Sequence, residues 1–469
     1  MRRLSLSGRE LLILGAATAA CVAAWLLPGA KPGAVAGRLN YGQFVLALLV
    51  SALLACIFLA SLASPARRRL ARFRAAAVCL STTAAILVWE IAAFLWPQRP
   101  LMDNPAYLFS GQGFEGSAAL PFERPAHMHW EGLSSGDLAG LNEDADPYAT
   151  QVTFVTDHEG FRNGQDWAHA DLVFLGDSFT EAGNIAERDT FVQRTAAALG
   201  RTARNLGRAG YTGPTELIVL QKYGLRCRPR TVVWQIAESN DLIEALTYAE
   251  WMAAGRPDYL SFIGMRQRTA SGRQFSPTWR LFRWLREPPS WPRGGAFQDR
   301  EGRIHQIRFE ELPSRMQSPV KHPGWPILAE SLRAGANLLR DENVPLLVLL
   351  VPMKARGLGS SVRLNAGSRA ALVSDWNIPA FGAAWDDPES GSEQLIGSDG
   401  DMPEAMTLAT HLRKLCDELG VLFVDATPPL RAAAAAGDLV YQPFDTHLSP
   451  EGHRVVSEAL VEELKKRRK

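Results

Sequence analysis

The sequence predicts an α/β fold built on a doubly wound parallel sheet and preceded by a membrane anchor. Short unbroken apolar runs recur at Asp171–Gly176, Thr231–Ile236, Val344–Val351 and Val421–Val424. Helix-patterned segments alternate with them over Phe191–Leu199, Thr215–Tyr223, Ile327–Arg340 and Glu404–Leu419. A strand apolar on both sides must be covered on both faces, and strand–helix alternation pairs successive strands in parallel. The anchor is read from three apolar stretches crowded into residues 1–96.

Those stretches are Leu11–Leu27, Phe44–Leu62 and Ala75–Trp96, of 17, 19 and 22 residues. A helix needs roughly 17–25 apolar residues to cross a bilayer, so all three qualify as transmembrane helices. Arg2, Arg3, Arg9, Arg67, Arg68, Arg69, Arg72 and Arg74 lie at the N-terminus and in the second loop, against Lys31, Arg38 and Arg99 on the other side. Basic residues stay on the cytoplasmic side, so three spans place residues from about 97 onward outside, in a periplasm or its equivalent. The expected location is the inner (cytoplasmic) membrane, multi-pass. Glu90, near the outer end of the third span, reads as an interfacial residue. Lys plus Arg total 50 against 49 Asp plus Glu, with 47% apolar and 21% charged residues. That balance excludes a generally basic nucleic-acid binder and a wholly disordered chain.

Residues 97–150, rich in Pro, Gly and Asp, read as an irregular connection. Residues 151–469 hold the α/β domain, with insertions at about 251–325 and 355–403 that are too long for ordinary connections. Loops at the carboxyl ends of parallel strands form the ligand crevice, so these insertions are expected to cover it. Trp251, Trp279, Trp284, Trp291 and Trp325 in the first would stack sugar rings, meet lipid headgroups or form a satellite core. Cys227 and Cys416 are the two cysteines outside the anchor, and an oxidising compartment would permit them to pair.

Two segments carry chemistry. The first strand runs into Gly176-Asp177-Ser178-Phe179-Thr180. A serine there stands at the sheet rim beside unpaired backbone N–H groups, a setting for a nucleophile and an anionic intermediate. Near the C-terminus comes Asp445-Thr446-His447. His447 would take the Ser178 proton, and Asp445, two residues away on a loop, would orient the imidazole. His453, in the first turn of a closing helix, reads as structural. There is no C-x-x-C or H-E-x-x-H pair, no Walker A motif and no G-x-G-x-x-G after a strand, so no cofactor and no metal is expected.

GDSFT at 176–180, Asn205 to Gly210, Glu238-Ser239-Asn240-Asp241 and DTHLSPEGH at 445–453, in that order, resemble the SGNH (GDSL-type) hydrolase superfamily. The resemblance covers roughly residues 152–465 and implies a flavodoxin-like sheet. It implies Ser178 as nucleophile, with Asp445 and His447 completing the triad. It also implies an oxyanion hole of the Ser178 and Gly210 N–H groups and the Asn240 amide, with Asp177 and Asp241 supporting. Two departures stand out. Glu238 occupies a position usually held by Gly, which would crowd or charge the site, and Phe444 stands where many members carry the acid. The D-T-H spacing is instead similar to proteins that acylate or deacylate exopolysaccharides. Lys354, after the third strand, matches a Pro-x-Lys element and is either a substrate contact or a solvated strand-end lysine. The implied function is a membrane-anchored serine esterase or O-acyltransferase acting through acyl-Ser178 on a glycan or lipid ester. The rival is a catalytically silent glycan- or lipid-binding or scaffold protein of an envelope polysaccharide assembly system.

Overall fold

The computed structural model describes residues 120–138, 146–259, 294–309, 321–364 and 408–466, with positions 70, 73, 77, 81, 262 and 263 besides. The three apolar stretches lie outside these residues except for Ala77 and Ser81, and among the described residues no helix is long and apolar enough to cross a membrane. Trp279, Trp284, Trp291 and residues 365–403 also lie outside them. The chain divides into two compact units, Met1–Gln98 with Ile263–Pro289, and Arg99–Phe262 with Ser290–Lys469. The second holds every element below.

In chain order these are β1 (His129–Ser134), β2 (Thr150–Val155), β3 (Leu172–Leu175), α1 (Ser178–Glu181), α2 (Phe191–Leu199), β4 (Ala203–Asn205), α3 (Gly213–Val219) and β5 (Thr231–Ala237). Then come α4 (Asp241–Ala253), β6 (Gly294–Gln298), β7 (Ile304–Arg308), α5 (Gly324–Asp341), β8 (Leu346–Val351), α6 (Lys354–Leu358) and β9 (Val362–Leu364). The last are α7 (Leu408–Leu419), β10 (Leu422–Asp425), α8 (Thr427–Ala435) and α9 (Pro450–Lys466).

The main sheet has the order β10-β8-β5-β3-β4, parallel throughout. Strand order reverses between β3 and β5, and in open α/β sheets such a switch point opens a crevice at the strands' carboxyl ends. The two faces follow from side-chain alternation along each strand. Leu172, Phe174, Val233, Leu347 and Leu349 pack with α2, α8 and α9 on one side. Val173, Leu175, Val232, Trp234, Leu346 and Val348 pack with α3, α5 and α7 on the other. This is the doubly wound α/β arrangement that the apolar runs predict.

The structure adds to the sequence reading in three places. The four predicted strands lie within a residue or two of β3, β5, β8 and β10, but the sheet has a fifth strand, β4. Its middle residue, Arg204, is buried on Asp157 and Glu159, so no apolar run marks it. The connection 97–150 is not wholly irregular, since β1 pairs antiparallel with β2, Trp130 opposite Phe154. The insertions contribute a second sheet, β7-β6-β9, antiparallel throughout. Of the tryptophans, Trp251 is buried and Trp325 packs against the second core, beside His411.

Candidate active site

β3 ends at the switch point, and the chain turns sharply at Gly176. A Cβ there would lie 2.3 Å from Thr180 Oγ1 and 2.4 Å from Gln235 Oε1, which only glycine avoids. Asp177 then caps α1, accepting from Phe179 N at 3.0 Å. The turn leaves Ser178 half-buried at the strand's carboxyl end.

The D-T-H loop reaches Ser178 from the other end of the chain. His447 Nε2 lies 2.7 Å from Ser178 Oγ, and His447 Nδ1 lies 2.5 Å from Asp445 Oδ1. Asp445 also accepts from the His447 backbone N–H at 2.9 Å, so the two-residue spacing closes on itself as a small ring. A nitrogen so close to a carboxylate must carry the proton, which leaves Nε2 to accept from the serine hydroxyl. Burial disfavours imidazolium, but the charge and hydrogen bond of Asp445, with Asp137 and Asp177 behind them, raise His447 to about 9. Burial pushes Asp445 upward, but the His447 charge and its hydrogen bonds outweigh this and hold it below the usual carboxylate range. Phe179 packs on the imidazole at 4.8 Å between ring centroids.

The other predicted residues gather on the Ser178 side. The loop after β4 is held to α1, with Arg208 N donating to Gly176 O at 3.0 Å and Ala209 N to Glu181 Oε2 at 3.1 Å. Gly210 follows in a left-handed conformation, φ 79°. Among the described residues the backbone N–H groups of Ser178 and Gly210 meet no acceptor. Asn240 Nδ2 donates to Asp177 Oδ2 at 2.9 Å, and an amide nitrogen keeps a second hydrogen for another acceptor. Asp241 accepts from Ala237 N at 2.6 Å, and its carboxylate lies within 4.8 Å of that of Asp177. With its nitrogen facing inward, the Gln235 amide donates to Asp177 Oδ1 at 2.9 Å and Thr180 Oγ1 at 2.8 Å.

Glu238 does not crowd the crevice. Its carboxylate pairs with Arg356 Nε at 2.9 Å and accepts from Met353 N at 3.2 Å. Lys354 is neither solvated nor turned toward a substrate. It is fully buried, and its Nζ donates to the carbonyls of Gln442, Pro443 and Asp445 at 2.6, 2.8 and 2.8 Å. His453 Nδ1 accepts from Phe191 N at 3.0 Å, a structural bond. Cys227 and Cys416 are both buried free thiols, and burial pushes Cys416 up to about 12.

Two sets of described residues are close enough to share a cation: Asp137, Asp445 and His447, and Asp177, Asp241 and Glu244. In the first, both ring nitrogens are already committed, one to Asp445 and one to Ser178. In the second, burial raises all three acids, Glu244 to about 8, so protons can take the place of a cation.

Four supporting residues lie outside the triad and the oxyanion set. Arg124 grips Glu181 through two bonds of 2.8 and 2.9 Å, and fully buried Arg162 donates to the carbonyls of Glu181, Ala182 and Ile185, fixing the turn after α1. Lys354 and Asp137 act on the D-T-H loop. The Pro-x-Lys element pointed to Lys354, whereas nothing in the local pattern marks the other three.

No known family matches the chain, and no curated protein resembles it in sequence. Solved structures similar to it include an acetyl xylan esterase at 12% identity, covering 62% of this chain and 98% of that one, with a TM-score of 0.29. A GDSL-like lipase from Bacteroides thetaiotaomicron is 10% identical over 63% of this chain and 88% of that one, TM-score 0.29. A catalytic mutant of an acetylxylan esterase from Geobacillus stearothermophilus is 12% identical over 64% and 95%, TM-score 0.31. Likenesses this distant transfer no chemistry, which has to stand on Ser178, His447 and their surroundings.

Proposed function

We propose that the chain is a serine ester hydrolase or acyl-transfer enzyme of the SGNH type, acting through an acyl-Ser178 intermediate. The observation that carries this is the continuous relay Ser178 Oγ, His447 Nε2, His447 Nδ1, Asp445 Oδ1, with links of 2.7 and 2.5 Å, at the switch point of a parallel sheet. As Ser178 Oγ attacks an ester carbonyl, His447 takes its proton and Asp445 stabilises the imidazolium. The oxyanion would be received by the Ser178 and Gly210 N–H groups and the Asn240 amide. His447 then returns the proton to the leaving alkoxide, and water or a sugar hydroxyl resolves the acyl-enzyme. Only neutral His447 can act as the base, so activity should climb with pH as the imidazolium loses its proton.

The three apolar stretches and the arginine bias support a membrane anchor with this site on the periplasmic side. An ester-bearing glycan or lipid of the envelope is the substrate class that such a location offers. A second reading, a silent binding or scaffold protein of polysaccharide assembly, is favoured by the Asn240 amide already donating to Asp177. The full-length chain in detergent should hydrolyse p-nitrophenyl acetate and be labelled by a fluorophosphonate, with both lost in Ser178→Ala and turnover lost in His447→Ala. A folded wild type that neither turns over nor labels would favour the silent reading.

A further inference from the structure

The segment after β1 folds back over the D-T-H loop. Leu138 N donates to Phe444 O at 2.9 Å, and Arg308 Nη1 on β7 donates to Leu138 O at 2.9 Å. Gly136 passes so near that a Cβ would lie 2.0 Å from Phe444 O. Between these contacts Asp137 embraces Thr446, Oδ1 accepting its backbone N–H at 2.8 Å and Oδ2 its hydroxyl at 2.5 Å. Asp137 Oδ2 then stands 3.9 Å from His447 Nδ1, with its side chain 17% exposed. The imidazole therefore meets two carboxylates on one edge, where a Ser–His–Asp relay needs one.

We propose that Asp137 is a positioning residue of the acid–base loop, which clamps Thr446 and sets the pH at which His447 becomes a base through a second carboxylate beside Nδ1. This rests on the serine-hydrolase reading above for its catalytic consequence, though not for its electrostatic one. Other charged groups act on His447 from each side. Asp445 lies on its own loop, and Asp177 on the turn after β3. Glu244 on α4 and His453 on α9 also sense its charge, while Lys354 acts on Asp445. Among these acids Asp137 is one that substitution can neutralise without touching the relay. Burial and the Asp445 charge push Asp137 itself up to about 7, so its charge is in place before His447, at about 9, gives up its proton.

Asp137→Asn is the decisive variant, because the amide can still accept from Thr446 N and donate to its hydroxyl while losing the charge. The apparent pKa on the acid limb of kcat/KM for p-nitrophenyl acetate should fall by about 1 unit, the low end for loss of a neighbouring opposite charge. KM should barely move. Thr446→Val keeps the carboxylate and its bond to the backbone N–H but removes the hydroxyl half of the clamp, so kcat should drop while the acid limb stays in place. Asp137→Glu should keep a wild-type limb. A limb that is superimposable in wild type and Asp137→Asn overturns the proposal, as does a limb displaced equally in Thr446→Val. Should Asp137→Asn fail to fold, a displaced limb in Asp137→Glu would equally count against it. The NMR titration of His447 in wild type and Asp137→Asn reads the same shift without turnover. An inactive wild type with a displaced His447 titration would thus defeat the hydrolase reading and leave this one standing.

Discussion

Lys354 Nζ is bonded to the carbonyl oxygen of Asp445 at 2.8 Å, so the end of β8 holds the acid of the relay by its backbone. Two further carbonyls, of Gln442 and Pro443, complete the grip. An ammonium group presents three donors, and this loop presents three acceptors to it. The same charge helps to keep Asp445 ionised.

Lys354→Met should therefore weaken both stability and turnover. Orphaning a buried carbonyl costs about 1–3 kcal/mol, and among the described residues that of Asp445 is the one left without a donor, since Pro443 O also accepts from Arg308 N and Gln442 O from Asp445 N. Thermal unfolding should shift down by several degrees, and kcat for p-nitrophenyl acetate should fall at least ~10-fold as Asp445 loses its register, a misplacement effect of the kind that can reach ~100-fold. A variant with wild-type kcat and lowered stability would restrict Lys354 to folding.

Asn240→Ala tests the oxyanion reading. Removing one oxyanion donor typically lowers kcat about 10²–10³-fold and leaves substrate binding nearly intact. The variant also loses the bond to Asp177, so the melting temperature is measured in parallel. An unchanged kcat would show that Asn240 serves the buried acids Asp177 and Glu244 rather than an oxyanion.

The sheet was readable because β3, β5 and β8 are buried on both faces and cannot afford a polar residue in most positions, while β10, half-buried at the sheet edge, still carries the apolar run Leu422, Phe423 and Val424. β4 was not, because its register is held by Arg204 on Asp157 and Glu159, acids about 45 residues away in sequence. Ser178, Asp445 and His447 were readable because their chemistry dictates residue type at fixed local spacing. Asp137 and Lys354 act on the same loop from 309 and 91 residues away, and a lone Asp or Lys gives no sign of where the fold will carry it. The setting of Glu238 is hidden for a related reason, since its partner Arg356 lies 118 residues away on α6.

The buried acids under the Asn240 turn predict a pH-dependent stability. Glu216, Asp241 and Glu244 are all raised, chiefly by burial, and Glu244 reaches about 8. Asp241 Oδ1, Glu216 Oε1 and Glu244 Oε2 have no hydrogen-bond partner. A carboxyl raised in the folded state binds its proton there more tightly than in the unfolded chain, so the unfolded state holds fewer protons between the two pKa values. Stability should then fall as pH rises above about 4.5, the Glu244 share of the loss being complete once pH passes about 8, the reverse of the usual carboxylate trend. Urea unfolding at pH 5 and pH 8.5 measures the drop. Glu244→Gln should be more stable than wild type at pH 8.5 and nearly equal to it at pH 5. A wild type equally stable at both would mean that these acids are neutralised by something other than protons.

Glu238→Gly restores the residue that the resemblance expects, and it should not improve the enzyme. The Glu238 side chain is 4% exposed and pairs with Arg356, itself 15% exposed. Removing one partner of a buried ion pair costs about 3–5 kcal/mol, because the other charge keeps its desolvation penalty. The Met353 N–H also loses its acceptor, one residue before Lys354 and its grip on Asp445. The expected result is a lowered melting temperature with kcat reduced or unchanged, measured beside Glu238→Gln, which retains an acceptor for Met353 N and should lose less. A Glu238→Gly variant with raised kcat and wild-type stability would mean that the carboxylate does burden the site, and that its pairing with Arg356 is incidental.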